Sequence, residues 1–154
     1  MRFRELKTFC ARRSSRNPDL SKPWRAGNYL CASDGKMMIA VPSSLVQPSL
    51  REAWINNEPV ETATLDWSGN YSRRQIPRRA WKQLAQGKRY KGLLFEPSRL
   101  KKILALPGAR LWVGKDGILD EWNDRVVLRC EWAEGLAFLA GSILHERRKD
   151  WVGA

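Results

Sequence analysis

Apolar residues between positions 28 and 41 form two short runs on either side of an Asp-Gly pair. The segment reads NYLCASDGKMMIAV. Asp-Gly tolerates the positive φ values that tight hairpin turns need, so apolar runs flanking it indicate a β-hairpin. The segment ARLWVGKDGILDEW, residues 109–122, has the same form. We therefore interpret Asp34 and Asp116 as turn residues and not as catalytic or metal-binding carboxylates.

Two further segments have the apolar spacing of short amphipathic helices. In residues 3–13 apolar side chains recur at helical intervals from Phe3 to Cys10, and in residues 98–106 a Leu/Ile face follows Pro97, which suits a first helical turn. The outer side of the first segment carries Arg4, Lys7 and Arg12. The outer side of the second carries Arg99, Lys101 and Lys102. Each predicted helix precedes one of the hairpins, so the order helix, strand, turn, strand occurs twice as a loose internal repeat.

The remaining pattern adds one helix and several short strands. The segment PRRAWKQLAQG predicts a helix between Pro77 and Gly87, with Trp81 in its apolar face. Strands are predicted in the hairpin at 25–41 and at 60–67, 91–95, 109–114, 118–122 and 125–132. Residues 136–144 fit either a strand or a short helix.

Together these elements predict an α+β fold of antiparallel sheets with two or three short amphipathic helices. The chain has 154 residues, which is the length of one ordinary domain. We expect a single domain over residues 1–144, followed by a loosely held basic tail over residues 145–154.

Composition predicts a cytoplasmic protein without a membrane, metal or cofactor partner. No apolar stretch approaches the roughly 18 residues that a membrane span requires, and the polar start MRFRELKTFC is unlike a signal peptide. Cys10, Cys31 and Cys130 lie far apart without a CxxC pair, which favours free thiols in a reducing compartment. The single histidine, His145, has no neighbouring ligand residues in the sequence, and we interpret it as a surface residue.

Positive charge is the strongest feature of the composition. Lys and Arg number 28 against 16 acidic residues, which gives a net charge of +12. Residues 1–25 hold eight basic and two acidic side chains, and residues 67–95 hold eight basic side chains and no acid. Such clustering indicates a positive surface that faces a polyanion, most simply nucleic acid, and we expect double-stranded DNA. A membrane surface fits less well, because no long amphipathic helix with a bulky apolar face is predicted.

The clustered cations are the candidate nucleic-acid contacts. They belong to the two predicted amphipathic helices and to the acid-free segment. The set comprises Arg4, Lys7, Arg12, Arg73, Arg74, Arg78, Arg79, Lys82, Lys88, Arg89, Lys91, Arg99, Lys101 and Lys102.

Two segments resemble bacterial DNA polymerase sliding clamps (beta clamps). NYLCASDGKMMIAV is similar to the clamp strand that bears an Ala-Thr-Asp-Gly turn, with Ser33 in place of Thr. LLFEPSRLKKILALPGARLWVGKDGILDEWNDRVVLRC is similar to the clamp segment in which a strand enters a Pro-started helix and continues into a meander. The resemblance implies a clamp-like domain of paired βαβββ units whose two helices face DNA and contact its phosphates without base specificity.

The chain departs from that family in size and in its acid-free segment. A bacterial clamp chain joins three such domains, whereas 154 residues have room for one. A homo-oligomer, attachment to another clamp and loss of encirclement all remain open. The family does not account for the charge of residues 67–95, and its partner-peptide pocket has no counterpart that can be placed in this sequence.

Known catalytic motifs are absent from the sequence, so we expect no enzyme activity. There is no Gly-rich phosphate loop, GxSxG, HExxH or Cys-His pairing. Two functions fit a small, basic, motif-free chain. The first is a non-catalytic DNA-binding module in replication, repair or mobile-element DNA metabolism. The second is a phage-type inhibitor, for example an anti-CRISPR protein, that binds a host complex acting on nucleic acid.

Overall fold

Antiparallel strands and short helices make up the fold, which is α+β as the sequence predicts. The structure of the chain, a computed structural model, describes residues 1–12, 18–46, 71–114 and 125–152. The chain divides into two compact units. Unit one comprises residues 1–65 together with 134–137, and unit two comprises residues 66–133 together with 138–154.

Four helices and eight strands occur within the described ranges. The helices are α1 (Phe3–Lys7), α2 (Trp81–Ala85), α3 (Pro97–Leu104) and α4 (Lys149–Val152). The strands are β1 (Trp24–Ala26), β2 (Tyr29–Ser33), β3 (Met37–Pro42), β4 (Tyr71–Ile76), β5 (Leu93–Leu94), β6 (Arg110–Gly114), β7 (Arg125–Trp132) and β8 (Gly135–Ile143). Single 3-10 turns lie at Pro18–Ser21, Ser43–Leu45, Arg78–Ala80 and His145–Arg147.

The first predicted hairpin is present in unit one, where β1, β2 and β3 form a meander. The Asp34 carboxylate accepts the backbone N–H of Lys36 at 2.9 Å and of Met37 at 3.0 Å. Gly35 follows with φ of 95°, a value that glycine adopts without steric cost. The interpretation of Asp34 as a turn residue is confirmed, whereas Asp116 lies outside the described residues.

The first helix is shorter than predicted. The sequence predicts residues 3–13, but α1 ends at Lys7. The next N–H groups, of Phe9 and Cys10, bond to carbonyls three residues back, and the N–H of Ala11 bonds across to Leu20 and Ser33. Tertiary hydrogen bonds therefore replace the helical ones at this point. The apolar stripe is nevertheless buried as expected, with Phe3, Leu6 and Phe9 all in the core.

Unit two contains the strand order β8, β7, β6, β4, with β5 paired to β8. Strand β6 pairs with β7 through Leu111 opposite Cys130, and with β4 through Gln75 opposite Trp112. The helix predicted at 98–106 is α3, which begins at Pro97 and buries Leu100 and Ile103.

Several remaining predictions can be compared directly. The segment 136–144 is a strand up to its last residue, because β8 runs from Gly135 to Ile143. The strand predicted at 91–95 covers only Leu93–Leu94, and those predicted at 60–67 and 118–122 lie outside the described residues.

The loose attachment predicted for the tail is wrong over residues 145–152, because Trp151 is 3% exposed. Paired βαβββ units stay a prediction.

Thiol reactivity tests the burial of the cysteines. Burial raises the pKa of Cys10 to about 11 and that of Cys130 to about 12, and Cys31 is fully buried. Because the thiolate is the reactive form, labelling of the native protein should be slow at pH 8 and should quicken about tenfold per pH unit up to pH 9. Urea-unfolded protein, in which all three thiols have ordinary pKa values, is the control. Rapid labelling of Cys10 and Cys31 in the native protein would show that these side chains do not lie on the buried sides of their segments.

Gly135 tests the close approach of two backbones in unit one. A Cβ added to Gly135 would clash with the carbonyl oxygen of Ala40 in β3. We expect Gly135→Ala to lower the free energy of unfolding by about 2–3 kcal/mol, because a strand backbone has to move. Gly27→Ala is the matched control, since a Cβ there meets no atom within 4 Å and only the φ of 58° opposes it, at about 1 kcal/mol. If urea titrations showed the same loss of unfolding free energy for the two variants, the close packing of Gly135 on β3 would be contradicted.

Candidate nucleic-acid interface

Residues 74–109 concentrate positive charge on unit two. They include ten basic residues and one acid, Glu96. We call the ten the basic cluster. Its members are Arg74, Arg78, Arg79, Lys82, Lys88, Arg89, Lys91, Arg99, Lys101 and Lys102. All are exposed except Lys91 and Arg99, which are partly buried.

Packing of α2 against α3 joins two groups of cations that the sequence separates. Leu84 of α2 and Leu100 and Ile103 of α3 are fully buried. Between the helices Gly87 turns the chain with φ of 78°, and a Cβ there would lie 3.3 Å from Pro97. The acid-free segment and the amphipathic helix α3 are therefore parts of one region.

Glu96 caps the N-terminus of α3. Its carboxylate accepts the hydroxyl of Ser98 at 2.7 Å and the backbone N–H groups of Ser98 and Arg99, each at 3.0 Å. The Arg99 guanidinium also lies 3.3 Å from it. These interactions, of which the Ser98 hydroxyl bond is the largest, lower the pKa of Glu96 to about 2. Glu96, the one acid in residues 74–109, is therefore ionised. Its negative charge lies beside Arg99 and compensates the charge of Arg99 more than that of Lys101 or Lys102.

Aromatic rings near the basic cluster lie under its cations. The Arg78 guanidinium lies 5.0 Å from the centre of the Trp81 ring, whose N–H points to the Ile76 carbonyl at 3.4 Å. Lys91 lies 5.6 Å from the centre of the Tyr90 ring. Trp81 is only partly buried, so its expected burial in the apolar face of the helix is wrong, and Leu84 is the buried side chain of α2. Cation–π contacts of this kind hold long side chains in defined positions.

Local hydrogen bonds fix the chain between α2 and β5. The Arg89 side chain donates to the Gly92 carbonyl at 2.9 Å, and the Gln83 side chain donates to the Arg89 carbonyl. Lys91 adopts φ of 45° and Gly92 follows with φ of 85°. Arg89 and Lys91 are therefore carried by a specific turn and not by an unstructured loop.

The other sequence candidates lie elsewhere. Arg4, Lys7 and Arg12 are exposed in unit one, on or just after α1. Arg73 belongs to β4 in unit two.

Sequence reasoning missed the contribution of Trp151 to the basic cluster. The Arg74 guanidinium lies 5.7 Å from the centre of the Trp151 ring and donates to the Asp150 carbonyl at 3.3 Å. The available signal was an apolar pair, Trp151 and Val152, that interrupts an otherwise polar tail.

Searches for other kinds of site and for similar proteins give negative results. Within the described ranges no group of three or more His, Cys, Asp or Glu side chains could hold a metal ion. No helix in the same ranges is long and apolar enough to cross a membrane. The chain matches no family model, no curated protein and no solved structure.

The cap of α3 can be tested by its pH dependence. The pKa of Glu96 lies below its ordinary value of 4.5, so the cap stabilises the fold above pH 4.5 and the contribution is lost as the pH falls towards 2. We expect Glu96→Gln to lower stability at pH 7 by about 1 kcal/mol or less, because the carboxylate is exposed and screened by solvent. The difference in melting temperature from the wild type should shrink between pH 4.5 and 2.

Glu146→Gln is the control for that experiment, because Glu146 is also an exposed acid of unit two. Its melting temperature should follow the wild type at every pH. A Glu96→Gln difference that stays constant down to pH 2 would show that the carboxylate does not stabilise the helix through its charge.

Proposed function

We propose that the protein is a non-catalytic nucleic-acid-binding module that contacts the phosphates of duplex DNA through the basic cluster. The observation that carries the proposal is the charge of residues 74–109, where ten cations meet a single carboxylate. That carboxylate, Glu96, already caps α3 and pairs with Arg99. The segment contains no other acidic residue beside the remaining nine cations.

Phosphate contact explains the residue types in the cluster. Uncompensated charges repel one another, and a polyanion relieves that repulsion while releasing its own counterions. Contacts to phosphates fix the position of a protein on DNA but carry no sequence information. We therefore expect binding that is strongly dependent on salt and nearly independent of base sequence.

The aromatic residues favour duplex DNA over single strands. Binding of single strands relies on exposed ring faces on which bases stack. Trp81 and Tyr90 carry cations over their rings, and Trp151 is buried. The rings beside the basic cluster thus support cations that contact the backbone, a role suited to a duplex whose bases are already stacked.

The sliding-clamp resemblance gives a more specific form of the proposal. In that form α1, with Arg4 and Lys7, contacts DNA as α3 does, and the module acts in replication, repair or mobile-element DNA metabolism. Replacing Arg4, Lys7 and Arg12 by Ala would then weaken DNA binding as well.

Salt titrations test the proposal. With about five phosphates contacted, the logarithm of the binding constant should fall against the logarithm of salt concentration with a slope of roughly −4 to −5 on duplex DNA. Replacing Arg79, Lys82 and Lys88 by Ala should make the slope shallower by about one per cation that contacts a phosphate. Replacing Lys101 and Lys102 by Ala should act in the same direction. All sequences should be weakened equally, and the melting temperature should barely change, because these side chains are exposed.

The matched control removes three exposed cations from unit one by replacing Lys22, Arg25 and Lys36 with Ala. It lowers the net charge as much as the Arg79, Lys82, Lys88 variant but should leave the slope unchanged. A single strand of equal length should bind more weakly than the duplex. If the wild type does not bind duplex DNA at moderate salt, or the control and the test variant lose affinity equally, the DNA-binding proposal is wrong. The inhibitor hypothesis would then apply, in which the basic cluster binds a protein complex that acts on nucleic acid.

A further inference from the structure

The C-terminal segment of unit two packs on the turn that carries Lys91. The Trp151 indole N–H donates to the Lys91 carbonyl at 3.1 Å, and the N–H of Leu144 donates to the Gly92 carbonyl at 3.0 Å. A Cβ added to Gly92 would stand 2.7 Å from the Arg147 side chain, so the segment lies directly against the turn. Trp151 is 3% exposed as a result.

The turn needs this support. Lys91 has φ of 45°, and left-handed backbone is unfavourable for a residue with a Cβ. Such a conformation persists where surrounding contacts hold it. The Trp151 hydrogen bond to the Lys91 carbonyl is one of those contacts, and it acts on the residue that carries the strain.

Trp151 also connects two members of the basic cluster. Arg74 lies over the Trp151 ring at 5.7 Å, the Tyr90 ring lies 6.2 Å from it at 59°, and Lys91 lies over the Tyr90 ring. The row of Arg74, Trp151, Tyr90 and Lys91 is continuous. Trp151 therefore contacts the cation at one end of the row directly and the cation at the other end through the Tyr90 ring.

We infer that Trp151 is a positioning residue that orders Arg74 and Lys91 for phosphate contact. The inference rests on the proposed function. Side chains ordered before binding lose less conformational entropy when they meet a phosphate, so ordering raises affinity without adding charge. Trp151 would thus contribute to DNA binding while touching no DNA.

Replacing Trp151 by Leu tests the inference, because it removes the ring and the N–H donor without changing the net charge. We expect duplex DNA to be bound about three- to tenfold more weakly at a fixed salt concentration, because Arg74 and Lys91 then lose more conformational entropy on contacting phosphates, while the salt slope stays close to that of the wild type. Trp112→Leu is the control, since Trp112 is another tryptophan of unit two with an arginine, Arg110, 5.6 Å from its ring centre, although Trp112 is partly exposed and Trp151 is buried. Its affinity for duplex DNA should equal that of the wild type. In a background where Arg74 and Lys91 are already Ala, Trp151→Leu should have little further effect.

A second pair of variants avoids the core, in case Trp151→Leu does not fold. Arg74→Lys keeps the charge but loses the planar guanidinium that lies over the indole, whereas Arg110→Lys makes the same change over Trp112, outside the basic cluster. We expect weaker duplex binding for Arg74→Lys and wild-type binding for Arg110→Lys.

The outcomes separate the two proposals. A wild type that does not bind duplex DNA contradicts the proposed function. A wild type that binds, with a folded Trp151→Leu variant of unchanged duplex affinity or with equal effects of Arg74→Lys and Arg110→Lys, overturns the inference about Trp151 alone.

Discussion

The packing of α2 on α3 is the contact on which the basic cluster depends. Without it the acid-free segment and α3 would be two separate basic stretches, each ordinary for an exposed surface. The contact has an apolar basis, because Leu84, Leu100 and Ile103 leave water together. A hydrophobic contact therefore places two basic segments of the chain in one region of unit two.

Local signals were sufficient to predict those elements whose ends are fixed by nearby residues. Pro97 suits the first turn of α3, and the Asp34 carboxylate stabilises the hairpin turn that follows it. The start of α3 and the position of this turn were therefore predicted to within about one residue. The end of α1 could not be found this way. It is set by the hydrogen bonds of Ala11 to Leu20 and Ser33, which lie 9 and 22 positions away in the chain.

The candidate site was predictable in composition but not in arrangement. Counting charges identifies every member of the basic cluster. It does not identify which helix packs on which, or that Glu96 is engaged by the start of α3. Trp151 was missed for the same reason, since its contacts with Lys91 and Arg74 span 60 or more positions. A tryptophan in a polar tail looks unattached until the surface that receives it is known.

The make-up of residues 74–109 has a consequence for how binding could be controlled. Histidine and cysteine are the side chains that ordinarily change charge between pH 5 and 9, and this segment contains neither. Glu96 remains ionised throughout that range. The charge presented by the segment is therefore constant across physiological acidity. Ionic strength, or a covalent modification that removes or adds charge, would alter the electrostatic attraction of the segment for other molecules, whereas mild acidification would not.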